Sequence, residues 1–202
     1  MSTSASLKCR CGEIRGVVES ASPSVGRRVV CMCRSCQTYA RWLGAPDAIL
    51  DPHGGSNVYQ TTPARVRIDA GLERIGCVRL SPKGLLRFYA TCCRTPLANM
   101  LPSPGMPFVG LSHLFIEHAD ETLGPATMHI HTRCATTPLP PDVREPGKLS
   151  LVGIAFGLLW DRVRGGHRPN PFRNADGSPI HAPEVLSKDE RDRLRAQCGP
   201  QA

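Results

Sequence analysis

Cys31-Met32-Cys33-Arg34-Ser35-Cys36 is the stretch on which the reading of this chain turns. Thiolates separated by one or two residues can turn inward around a tight knuckle and share one soft ion, and tetrahedral sulfur sites favour zinc or iron-sulfur. Upstream stands Cys9-Arg10-Cys11-Gly12 and downstream the adjacent pair Cys92-Cys93, so seven of the ten cysteines fall in three tight groups. The spacing favours bound metal over ordinary buried thiols, and disulfides rank last. Met1 to Leu7 has no apolar core of a secretory signal, so a reducing, cytoplasmic compartment is expected.

The rest of the composition bounds the answer loosely. A chain of 202 residues with 41% hydrophobic content can bury a core, as one domain with an extension or as two small ones. The formal charge of +8 favours anionic partners: nucleic acid, acidic lipid or small carboxylate-bearing metabolites. Only 5% of residues are aromatic and no dense Lys/Arg run occurs, which makes nucleic acid the weaker choice. The longest apolar run, Leu149 to Trp160, is shorter than the roughly 20 residues that cross a bilayer, so no membrane partner is expected.

Short strands are expected over Glu13 to Ser20 and Val25 to Val30, joined by the turn-like Ala21-Ser22-Pro23-Ser24. They predict a hairpin flanked by the first two cysteine groups. Gln37 to Leu43 suits a short helix. Further strands are predicted over Val58 to Thr61, Arg65 to Ile68, Gly76 to Leu80, Leu85 to Ala90, Phe108 to Ile116 and Thr127 to Arg133. Leu149, Val152, Phe156, Leu159 and Val163 form a stripe at helical spacing, read as a buried helix with Trp160 packed. A second helix is predicted over Ala182 to Gln197, where Ser187 and Glu190 make a capping box. The organisation expected is a mainly β domain over residues 1–135, then a proline-rich linker and helical C-terminal extension over 136–202.

The two N-terminal cysteine motifs, with Tyr89-Ala90-Thr91-Cys92-Cys93-Arg94-Thr95-Pro96-Leu97, resemble the glutathione-dependent formaldehyde-activating enzyme family, shared with centromere protein V. The likeness runs from about Leu7 to Ile116. It implies an Mss4-like, tent-shaped β fold with zinc knuckles and one or two Zn²⁺ ions. It also implies a closed structural site from Cys9, Cys11 and a later pair, and an open site from Cys31, Cys33 and Cys36. This chain departs from the pattern in the later pair. Ungapped, Cys93 takes the second ligand position and Ala90 the first, which leaves the fourth donor open among Cys92, a histidine, a water or nothing. Arg94 replaces the family's glycine and implies an altered backbone there.

Three thiolates on a divalent ion leave a net negative charge and an unfilled tetrahedral corner, suited to a soft incoming thiolate or a water. Arg27, Arg28, Arg34 and Arg41 are the candidate counter-charges. Through the resemblance, the catalytic residues are Cys31, Cys33 and Cys36, and the reaction is carbon-sulfur lyase-like. The substrate is a small thiol adduct of an aldehyde, such as S-hydroxymethylglutathione. The alternatives are a closed site that only holds the fold, and a non-catalytic zinc-stabilised module that binds nucleic acid or protein.

His129 and His131 share a strand face and read first as plain polar residues, with the missing ligand as a lesser possibility. Cys77, Cys134 and Cys198 stand alone as small buried hydrophobes or idle thiols. Asp51-Pro52-His53-Gly54-Gly55 reads as a turn.

Overall fold

The structure, a computed structural model, describes residues 4–200. It is mainly β. Three strands, β1 (Ala5–Lys8), β2 (Arg15–Val18) and β5 (Val66–Ala70), form a small antiparallel sheet in the order β1-β2-β5. The others are β3 (Arg27–Cys31), β4 (Ser56–Thr61), β6 (Ile75–Arg79), β7 (Leu86–Ala90), β8 (Pro96–Met100), β9 (Val109–Ser112), β10 (Met128–Ile130) and β11 (Glu184–Val185). They make one eight-stranded sheet in the order β10-β3-β4-β9-β8-β7-β6-β11, with both edge strands parallel to their neighbours. The helices are α1 (Arg34–Trp42), α2 (Pro46–Ile49), α3 (Ala119–Leu123), α4 (Lys148–Val163) and α5 (Lys188–Arg195).

The expected hairpin between the first two cysteine groups does not form. Both strands exist, but β2 belongs to the small sheet and β3 to the large one. The residues between them are tied to β4 instead. The Tyr59 hydroxyl receives the Ser22 N–H at 3.2 Å and donates to the Ser22 carbonyl at 3.1 Å. Gly26 lies so close to the Tyr59 ring that a Cβ there would stand 2.3 Å from it. Tyr59 therefore steers the chain from one sheet to the other.

Strands β1 and β8 lie outside the segments read from the sequence, and β11 falls inside the helix predicted over Ala182 to Gln197, of which only Lys188–Arg195 is helical. β8 begins on Pro96 and lacks β-branched residues, yet it is almost wholly buried between β7 and β9. Proline is tolerated at the first residue of a strand. The segments predicted as strands at Phe108 to Ile116 and Thr127 to Arg133 each end early in a 3-10 turn.

The main core lies on one face of the large sheet and is closed by the small sheet; it contains Leu7, Tyr59, Phe88, Leu111 and Phe115. A second cluster, with Tyr39, Leu43, Val78, Leu80 and Leu186, packs α1 onto the large sheet. Residues beyond 135 enter both. Phe172 is fully buried with its ring 4.8 Å from that of Phe88, and β11 extends the sheet at β6. The Ser187 hydroxyl caps α5 by accepting the Glu190 N–H at 3.1 Å, as the capping box predicts.

Helix α4 forms where the stripe predicts one, but the stripe is not buried. Leu149 is 89% exposed and Phe156 68%, and Val152, Leu159, Trp160 and Val163 face outward with them. Periodicity locates an apolar face without saying what covers it. Here α4 turns Ile154 and Leu158 toward the sheet and leaves the stripe outside.

Candidate metal centres

Cys9 and Cys11 sit in the tight turn after β1. Gly12 closes it in the left-handed region (φ 84°) by donating its N–H to the Cys9 carbonyl at 2.9 Å, and Ile14 N–H donates to Cys9 Sγ at 3.3 Å. Cys92 and Cys93 sit in the turn between β7 and β8, where Arg94 N–H donates to the Ala90 carbonyl at 2.8 Å. All four sulfurs lie within 4.8 Å of one another, with neighbours at 3.5, 3.2 and 3.9 Å. A zinc-sulfur bond of about 2.3 Å sets the edges of a tetrahedron at about 3.8 Å, so these four donors fit such an ion. Of the candidates left open by the sequence, it is the Cys92 sulfur that lies with the other three. Neither His129 nor His131 belongs to a candidate group.

Arg94 makes the paired cysteines possible. It takes φ 59°, the left-handed region that favours glycine, so the turn keeps a glycine-like backbone despite the substitution. Its guanidinium lies 4.4 Å above the Trp42 ring and donates to the Trp42 carbonyl at 2.6 Å, contacts that offset the strain. Burial raises Cys9 and Cys92, with neighbouring thiols adding to the rise. Cys93 moves the other way: burial opposes its ionisation, but the Thr95 hydroxyl and the N–H groups of Cys11 and Thr95 bring it down to about 6.

The second group is assembled by one strand end and one helix start. Cys31 is the last residue of β3, Cys33 is the N-cap of α1, and Cys36 lies in the first helical turn. Cys33 Sγ accepts the Cys36 N–H at 3.4 Å, and Met32 N–H donates to the Ile130 carbonyl at 3.0 Å. These three sulfurs also lie within 4.8 Å of one another. No fourth Cys, His, Asp or Glu joins them among the described residues. Cys31 and Cys36 are buried and Cys33 is partly exposed.

The thiols of Cys31 and Cys33 hydrogen-bond toward Cys36 and hold it well below its ordinary range, helped by the Arg87 guanidinium. Cys31 is driven up by its contacts with Cys33 and Cys36 and by burial. Cys33 is pushed up to about 12; the Cys31 hydrogen bond opposes the rise, but Cys36 and burial outweigh it. One negative charge thus gathers on Cys36 beside a buried cation.

That cation escaped the sequence reading. Arg87 is 2% exposed, with Nη1 3.9 Å from Cys36 Sγ and 2.9 Å from Asn99 Oδ1, and its guanidinium lies 5.0 Å over the Tyr39 ring. Its only signal was a charge inside the apolar run Leu85-Leu86-Arg87-Phe88. Of the arginines proposed instead, Arg28 binds Asn57, Asp120 and the Gly124 carbonyl, and Arg27 is exposed. Arg34 donates to the Arg195 carbonyl at 2.8 Å and Arg41 to the Gln37 carbonyl at 3.2 Å.

The C-terminal segment packs on the same helix. Gln37, fully buried, donates to the carbonyls of Met32 and Cys134 at 2.7 and 2.8 Å and accepts the Gly199 N–H at 2.8 Å. Cys198 Sγ lies 3.5 Å from Thr38 Oγ1, beside α1 and outside the sulfur group. Cys77 is buried, its thiol raised to about 11 by desolvation. Asp51 Oδ1 accepts the N–H groups of His53 and Gly55, a tight turn as expected. All ten cysteines are free of disulfides.

The fold and its sulfur groups define a class: a mainly β protein with two cysteine clusters able to hold metal ions. Residues 1–181 match the family of unknown function DUF6151, and the chain belongs to that family. A comparison with curated proteins finds no match. No helix among the described residues is long and apolar enough to cross a membrane.

Proposed function

We propose that this protein binds zinc at both cysteine groups and acts at the Cys31-Cys33-Cys36 group as a carbon-sulfur lyase-like enzyme on a small thiol-aldehyde adduct. S-hydroxymethylglutathione is the type of substrate intended. The observation that carries this reading is the difference in donor number: four sulfurs converge in one group and three in the other. A saturated thiolate site serves the fold, whereas a three-ligand site leaves room for an outside atom. The resemblance of the cysteine motifs to the glutathione-dependent formaldehyde-activating enzymes supports the substrate class, and an Mss4-like reading of the two sheets goes with it.

When bound, zinc would favour the thiolate form of an incoming thiol and stabilise it as a leaving group. The chain supplies the remainder. Cys31, Cys33 and Cys36 hold the ion, and the α1 N-terminus and Arg87 offset thiolate charge. Cys33 is the partly exposed member of the group, and in this reading substrate approaches from its side. In the lytic direction the carbon-sulfur bond breaks, its electron pair stays on the thiol sulfur, and the hydroxyl proton leaves as the aldehyde carbonyl forms.

The test is metal content and turnover together. Wild-type protein is expected to carry about two zinc ions per chain, and Cys33→Ser to lose one ion together with formaldehyde release from S-hydroxymethylglutathione. Turnover that survives in Cys33→Ser, or wild-type protein that releases no formaldehyde while fully metallated, overturns the enzymatic reading.

A further inference from the structure

Beneath α4 lies a cavity of about 340 Å³ that is partly open to solvent, within the size range of small-molecule sites. No cysteine lines it, and its wall residue Ile130 is the register partner of Cys31 on the neighbouring strand. Much of the wall is apolar: Val25, Phe108, Met128 and Ile130 from the body, Ile154 and Leu158 from α4. Three ionisable residues line the same space, Arg27, Arg65 and Asp161. Neither guanidinium has a hydrogen-bond or ion-pair partner among the described residues, and no basic group pairs with Asp161.

We propose that this cavity is a binding site for a small amphiphilic monoanion, a medium-chain carboxylate. Two guanidiniums against one carboxylate leave a single net positive charge, which one ligand carboxylate neutralises. The apolar walls take the chain. Arginine suits the head group because its planar fork binds carboxylate oxygens in pairs. The site does not depend on metal in either sulfur group.

Isothermal titration of full-length protein with decanoate, below its micellar range, tests the site. One equivalent is expected to bind, with decanol much weaker. Arg65→Gln is expected to weaken decanoate about tenfold or more, the loss of one charge-assisted contact. Leu158→Trp, which fills the cavity, should abolish binding, and Cys33→Ser should leave it intact. Phe156→Ser, on the outer face of α4, controls for adsorption there. Circular dichroism verifies that each variant is folded. Absence of decanoate binding, or equal affinity for decanol with no effect of Arg65→Gln, overturns the proposal. So does binding lost in Phe156→Ser but kept in Leu158→Trp.

Discussion

The four-sulfur and three-sulfur groups offer the same donor atom and differ in burial in the direction opposite to their donor number. The complete group is the more exposed: Cys11 and Cys92 face solvent, Cys93 is partly covered, and turns on two separate hairpin ends supply its ligands. The incomplete group is mostly buried, is built from a continuous stretch of six residues, and has an arginine sealed beside it. Solvent exposure thus says little about which group has four donors. What separates them is the number of donors and the origin of the compensating charge. The first group ties the Cys9 turn to the Cys92 turn, residues far apart in sequence, as a cross-link would. The second joins residues already held by β3 and α1, so metal there adds little to the fold.

The sharpest way to break this comparison is to remove one sulfur from each side. Cys93→Ser opens a cross-link that can supply on the order of 10 kcal/mol when zinc fills it, so the largest loss is expected there: several kcal/mol in thermal or denaturant unfolding, with about one ion released. Cys33→Ser should release an equal amount of metal at a much smaller cost in stability. Equal destabilisation by the two variants would mean that both groups are structural.

Arg87→Met asks whether the buried cation serves the second group alone. It removes the guanidinium beside Cys36 and the hydrogen bond to Asn99. Loss of such an outer partner typically lowers metal affinity about 10- to 100-fold, and this loss is expected only for the ion held by Cys31, Cys33 and Cys36. Competition with a chromophoric chelator resolves the two ions. A uniform weakening of both would assign Arg87 to general packing.

The thiols themselves give a third contrast in metal-free protein. Cys93 is depressed to about 6 and Cys33 raised to about 12, so at pH 7 the first is largely thiolate and the second thiol. Iodoacetamide should therefore label Cys93 more than about tenfold faster, as read by peptide mass spectrometry. The sign for stability follows from the same shift. Because folding lowers the Cys93 value, its contribution is fully present above the ordinary thiol value of 9.0 and is lost as pH falls through about 6.

The smallest effect is expected from ending the chain after Arg195. This removes the Gly199 N–H that Gln37 accepts and the Cys198 contacts with α1. A loss of about 1 kcal/mol, or roughly 2–4 °C in Tm, is expected, with metal content unchanged. Deleting all of 136–202 is a different experiment, because it strips Phe172 and Leu186 from the two cores.

How much of this was legible in the chain varies by element. β4, β5, β6 and β7 were readable as strand-suited segments between turn residues, and the start of α5 from its capping box. β8 was not, because a strand buried on both sides and opening on proline has neither alternation nor β-branched residues to betray it. The hairpin from β2 to β3 failed for another reason: local turn composition cannot register Tyr59, which arrives from far along the chain and captures Ser22. The stripe on α4 was seen and then assigned the wrong surroundings, since a period of 3.6 reports an apolar face and not its cover.

The sulfur inventory divides in the same way. Spacing by itself determined that Cys31, Cys33 and Cys36 act together, because sulfurs two and three residues apart meet through local backbone geometry alone. It also marked Cys9 with Cys11, and Cys92 with Cys93, as pairs. Only the tertiary structure decided that those two pairs face one another, that the sulfurs of Cys92 and Cys93 both reach the Cys9 turn, and that Arg87 is the charge beside Cys36. Each of those facts depends on which strands lie side by side, and strand order is set by burial and register over the whole sheet rather than by any short stretch of chain.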